Sequence, residues 1–118
     1  MFHIVNILFF NKKREIALDL KDKNGKRVVW YKESYDAHVK AKHFDVNSCQ
    51  DKIKKAISSP QLKAIDTKRK NTRYYYEVRK DKRGNTLFIR VAVDYNHNPA
   101  FVRTAHLTTD ISGASITY

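Results

Sequence analysis

One cysteine, two prolines and three glycines are all that this chain of 118 residues carries of those types. The lone Cys49 excludes a disulfide within the chain and fits a reducing compartment. It stands in a helical stretch, where it reads as a small packed side chain rather than a nucleophile. No Cys-x-x-Cys pair and no carboxylate cluster supplies metal ligands. His38 and His43 form an H-x4-H pair on a helix, but five residues advance a helix by about 500°, so the rings diverge by about 140°. A zinc helix places its histidines four apart, so neither a metal nor another cofactor is expected. With no repeat, low-complexity tract or linker, the chain reads as a single domain over residues 1–118. The one apolar run, MFHIVNILFF, is interrupted by His3 and Asn6, and no small-residue cleavage site follows it. At about ten residues it is too short to span a membrane. It reads as a strand or arm packing on the domain, and the expected location is the cytoplasm.

Acidic residues are also scarce, 12 against 24 lysines and arginines, which leaves a net charge of +12 and a pI near 9.9. An excess this large repels itself and points to a polyanionic partner. It is also uneven. Residues 52–90 hold 13 basic against 3 acidic side chains, whereas residues 91–118 hold only Arg103 against Asp94 and Asp110. Lys54, Lys55, Arg69 and Lys70 are therefore candidate RNA-binding cations. The basic residues interleave with Tyr74, Tyr75, Tyr76 and Phe88, whose rings suit base stacking. No helix carries the aliphatic face that a membrane surface requires, so nucleic acid is the expected partner and membrane is not.

Hydrophobic residues make up 42% of the chain and aromatic residues 12%, a globular composition. REIALDL and KRVVWYK flank Asn24-Gly25, a hairpin signal because that pair accepts the positive φ angles of a type I′ turn. Ser34 is a candidate N-cap, with Asp36 in the first turn, for a short helix through His43. Asn47 or Ser48 starts a second helix that buries Ile53, Ala56 and Ile57 and stops at Pro60. Residues 63–72 read as a basic, polar connection. The class is α+β, in the order two strands, two helices, three strands.

The final strands alternate with period two. If Leu87, Ile89, Val91 and Val93 are buried, then Phe88, Arg90, Ala92 and Asp94 face the other way. Phe101, Ala105 and Leu107 are expected inward, with Thr104, His106 and Thr108 outward. Arg103 shares parity with the inward set, which points to a bulge or the sheet rim. If the first of these strands buries Tyr74, Tyr76 and Val78, then Tyr75, Glu77 and Arg79 join Arg90, Thr104 and His106 on the open face. Polar residues outward are also the ordinary solvation pattern of a half-exposed sheet.

YDAHVKAKH in a short helix, a helix ending AISSP, the strand RYYYEVR, and LFIRVAVD followed by FVRTAHLT together resemble the phage and toxin nucleases of the barnase, EndoU, colicin and RelE like superfold. The resemblance covers Ile16 to Thr108. His38 matches the family's earlier helix histidine, His43 its second one, and Lys42 stands at the usual arginine. Thr104 and Ala105 match a closing Thr-Ala, while His106 replaces the commoner tyrosine and Phe44-Asp45 replace proline-glutamate. The resemblance implies helices on one face of a mainly antiparallel sheet and RNA across the other.

It also implies metal-independent, toxin-like ribonuclease chemistry, in which a ribose 2′-hydroxyl attacks the adjacent phosphate and expels the 5′-oxygen. His43 and His106 are then the acid/base pair, in an order left open, with His38 beside them. Arg90 and Arg103 are the phosphate clamps, Thr104 a phosphate hydrogen-bond donor, and Glu77 a reserve base. Tyr75 and Arg79 contact RNA. Two other classes remain: a noncatalytic RNA- or DNA-binding module, and a basic protein that docks an acidic antitoxin or immunity protein.

Overall fold

The computed structural model describes residues 14–41, 50–108 and 114–117. The opening apolar segment, Lys42, His43, the Phe44-Asp45 pair, the expected cap at Asn47 or Ser48, and Cys49 lie outside the described residues. The elements in chain order are β1 (Ile16–Lys21), β2 (Arg27–Tyr31), α1 (Lys32–Ala41), α2 (Gln50–Ser58), β3 (Leu62–Asp66), β4 (Thr72–Lys80), β5 (Thr86–Asp94), β6 (Ala100–Thr108) and β7 (Ala114–Thr117). The strands form one sheet in the order β1-β2-β6-β5-β4-β3-β7. Only β2 and β6 run parallel; every other neighbouring pair is antiparallel. The class is α+β.

Both described helices pack on one face. α2 places Ile53, Ala56 and Ile57 at the spacing of one helical stripe, and all three are fully buried. They join Val28, Trp30, Tyr35, Ile89, Val91 and Val93 in a single cluster. Each buried aliphatic side chain there stabilises the fold by about 1.5–3 kcal/mol relative to exposure. Trp30 sits edge-on to Tyr35, ring centroids 5.1 Å apart, and its Nε1 donates to Ser34 Oγ at 3.1 Å. Ser34 is therefore inside α1, which starts two residues before the expected cap, and its hydroxyl serves the buried indole instead of a helix end.

Both tight hairpins use one device, and it is not a type I′ turn. Asp22 Oδ1 accepts the amides of Asn24 and Lys26 at 2.8 and 2.9 Å, while Gly25 N donates to Asp22 O. Asp81 does the same for Arg83, Asn85 and Gly84. Only the glycines, Gly25 at φ 84 and Gly84 at φ 83, are left-handed in these turns. The leading aspartate caps a type I turn, so the residue before glycine keeps negative φ.

Residues 63–72 also depart from expectation, because they contain most of β3. Ala64 pairs with Tyr74 on one side and Ile116 on the other and is fully buried. A five-residue strand containing Lys63 and Asp66 carries too little alternation to stand out in a basic stretch.

Candidate functional site

Direct pairing fixes which side chains share the face that the helices leave open. Tyr76 pairs with Arg90 and Arg90 with His106; Tyr74 pairs with Ala92 and Ala92 with Thr104; Val78 pairs with Phe88 and Phe88 with Thr108. Opposed residues point to the same side of a sheet, so these rows lie together. Ile89, Val91 and Val93 fill the helix side, as the period-two pattern of β5 predicts.

The same register inverts the faces expected for β4, although Tyr76, opposite Arg90, is fully buried as expected. Tyr75 belongs to the helix-side core at 8% exposure. Its hydroxyl lies 2.6 Å from Tyr95 Oη. Tyr95 spends its own proton on Asp22 Oδ2 at 2.8 Å, so Tyr75 donates to Tyr95. Burial pushes both phenols up. Glu77 lies on the same side, 2% exposed, with its Oε1 3.5 Å from Lys55 Nζ and 4.0 Å from Lys52 Nζ. Arg79 shares its parity. Tyr75, Glu77 and Arg79 are thus absent from the open face: the Tyr75 hydroxyl is held by Tyr95, and the Glu77 carboxylate is ion-paired through Oε1 to two lysines of α2, while its Oε2 is buried without a hydrogen-bond partner among the described residues. Phe101 is corrected in the opposite direction, since it pairs with Asp94 and lies on the open face.

Arg103 explains that last reversal. The register slips between Ala92↔Thr104 and Val93↔Val102, which leaves Arg103 as the extra residue of a β-bulge. The bulge turns its guanidinium to Asp94, Nη1 to Oδ2 at 3.0 Å. Burial alone would raise the Asp94 carboxyl, but the Asn96 amide and Arg103 outweigh it and hold it below the ordinary value.

These residues wall a cavity of about 390 Å³ whose cations are Lys68, Arg69, Arg90 and Arg103, with Thr104 and His106 at its side. Arg90 stacks its guanidinium carbon 4.0 Å from the centre of the Tyr74 ring. Its Nε is buried without an acceptor among the described residues. Tyr74 Oη donates to Asp66 Oδ2, and that bond, opposed by burial and aided by the Lys68 and Arg69 amides, lowers Asp66 to about 2. Asp66 Oδ1 accepts those amides at 2.7 and 2.8 Å. The carboxylate therefore pins the start of the loop that carries the two cations. The other end is held by Asn71, at φ 63, whose carbonyl accepts the Tyr95 amide at 2.9 Å and whose Nδ2 donates to Asn96 Oδ1 at 2.9 Å.

His38, Thr104, Ala105, His106 and Leu107 line a second cavity of about 380 Å³ that adjoins the first through Thr104 and His106. α1 delivers His38 to it. The ring lies edge-on to Trp30 at 5.4 Å, and Nδ1 is 2.9 Å from Ser34 O. A carbonyl only accepts, so Nδ1 carries a proton and Nε2 of the neutral ring is the basic nitrogen.

Of the sequence-based candidates, His38, Arg69, Arg90, Arg103, Thr104 and His106 converge on these two cavities. Lys54 and Lys55 ride on α2 behind the sheet, and Lys70 lies exposed in the loop without lining either cavity. Asp66, Asp94, Lys68 and Tyr74 complete the site. The run Asp66-Thr-Lys-Arg carries a signal for one of them, since aspartate ahead of polar residues favours an Asx turn. Asp94 has no such mark. Comparison of the chain with family models, with curated proteins and with solved structures gives no match.

Proposed function

We propose that the protein is a metal-independent endoribonuclease, toxin-like in its basic surface and small size, acting on the open sheet face with a barnase, EndoU and RelE like layout. The observation that carries this reading is one cavity lined by three arginines, Thr104 and His106, with His38 lining a second cavity that shares Thr104 and His106 with it. A phosphodiester in the basic cavity accepts hydrogen bonds from the guanidinium groups of Arg90 and Arg103 and from the Thr104 hydroxyl. One histidine removes the 2′-proton, the 2′-oxygen forms a bond to phosphorus, and the P–O5′ bond breaks. The other histidine protonates the departing 5′-oxygen. The products are a 2′,3′-cyclic phosphate and a 5′-hydroxyl. His38 and His106 fill these roles from the described residues, and the side chains named supply base, acid and cations without a further group.

An acidic antitoxin or immunity protein is the protein partner this surface suits, because it would cover the same cations. The test is incubation with total cellular RNA in excess EDTA, beside His38→Ala, His43→Ala and His106→Ala. Cleavage that survives chelation and is lost in His106→Ala supports the proposal. Salt-sensitive RNA binding with no cleavage at any concentration replaces it with the noncatalytic module.

A further inference from the structure

The open face does not end at the basic cavity. Past Arg103 and Asp94 it continues to Phe101, which pairs with Asp94. There His97 lies against Phe101 with centroids 5.3 Å apart, Tyr31 follows at 6.2 Å from Phe101, and the Arg14 guanidinium stacks 3.8 Å over Tyr31. None of these side chains is buried: His97 and Arg14 are exposed and the other two are half-buried. Beside His97 opens a third cavity, of about 480 Å³, lined by Lys26, Arg27, Tyr95, Asn96, Asn98 and Ala100 as well. Asn96, on the border of this cavity, is hydrogen-bonded to Asn71 and Lys70, which follow Lys68 and Arg69 in the loop beside the basic cavity.

A row of half-exposed rings edged by cations has a specific use. Aromatic rings flanked by lysine and arginine are one way in which single-stranded nucleic acid is held without reading its sequence. With the bulge at Arg103 between them, Phe101 and Thr104 pair with Asp94 and Ala92, two residues apart on β5, about 7 Å at strand spacing, which is within reach of a neighbouring nucleotide on the same RNA strand.

We propose that His97, Phe101 and Tyr31 form a base-stacking subsite for the unpaired RNA nucleotides that flank the phosphate held at Arg90, Arg103 and Thr104, with Lys26 meeting their backbone and Arg27 held beside it in a two-point ion pair with Asp19. The proposal rests on the ribonuclease reading for its polarity of charge and its ligand class, but not on catalysis.

The experiment compares binding of a 2′-O-methyl hexaribonucleotide, which cannot be cleaved through its 2′-oxygen, with that of an abasic hexamer of the same charge. Wild-type protein is set beside His97→Ala, a change in an exposed turn, and Phe101→Leu. The base-bearing strand is expected to bind wild type more tightly, and either variant to weaken it about tenfold while leaving the abasic strand unchanged. Equal weakening of both strands, or no effect of either variant, overturns the subsite. Cleavage of ordinary RNA is followed in parallel, so the two readings separate: base-dependent binding without cleavage keeps the subsite and removes the enzyme. Cleavage without base dependence does the reverse, and absence of any binding removes both.

Discussion

Arg90 and His106 stand directly opposite one another on β5 and β6, on the face away from the two described helices, with the Arg90 guanidinium stacked on Tyr74. Stacking fixes the plane of the guanidinium, and under the proposed function its paired nitrogens meet a phosphate. Lysine keeps the charge and loses both features. Arg90→Lys is therefore expected to lower kcat/KM on an oligoribonucleotide by about tenfold or more, measured by steady-state cleavage, with thermal stability near wild type.

The two cavities meet at Thr104 and His106, so His38 and His106 are expected to act as one unit. Each alanine variant should lose about 10²- to 10⁴-fold in cleavage rate. The double variant should lose little beyond the more damaging single one, because an acid without its base leaves only binding and charge stabilisation. Single-turnover rates of the three variants measure this. Multiplicative losses would assign the histidines to separate tasks.

Asp66 links stability to pH. Its pKa is depressed in the fold to about 2, against about 3.9 in an unfolded chain. A carboxyl so depressed adds stability that is fully present above the unfolded value and is lost as pH falls from about 4 toward 2. Asp66→Asn should therefore be less stable than wild type in urea at neutral pH, and the difference should shrink across that acid window. The same variant weakens the hold on the amides of Lys68 and Arg69, so RNA affinity should fall with it.

Much of this arrangement is written in the residue pattern, and the failures have physical causes. Leu87, Ile89, Val91 and Val93 are aliphatic and seek the core, so β5 reveals its faces directly, and the misfit parity of Arg103 foretells the bulge found there. Tyr74, Tyr75 and Tyr76 conceal theirs, because tyrosine is at home in a core with a hydroxyl partner or on a wet face. Which way they point is settled by Tyr95 and Asp22, distant in sequence from Tyr75. Glu77 reads as exposed until the lysines of α2 are placed over it. Arg90, Thr104 and His106 are legible as a group because β5 and β6 are neighbours in both sequence and sheet. The contribution of Asp66 depends on a turn that pattern marks only weakly.

Because the helix-side lysines are separated from the basic cavity by the sheet, the salt dependence of RNA binding should divide the basic residues. Replacing Lys68 or Arg69 with alanine is expected to reduce the slope of log K against log salt by about 0.7 for each phosphate left without its cation. Lys54→Ala should leave the slope unchanged. Titrations at several ionic strengths check this, and a slope that responds equally to all three changes would place the RNA elsewhere.

The most direct measurement uses a DNA oligonucleotide with one internal ribonucleotide, incubated with the protein in EDTA and analysed by mass spectrometry. The account predicts a single cut on the 3′ side of the ribose, a 2′,3′-cyclic phosphate and a 5′-hydroxyl at the new ends, and no product with His106→Ala or with the all-deoxy strand. Cuts at deoxynucleotides, a 5′-phosphate at the new end, or full activity in His106→Ala would contradict it.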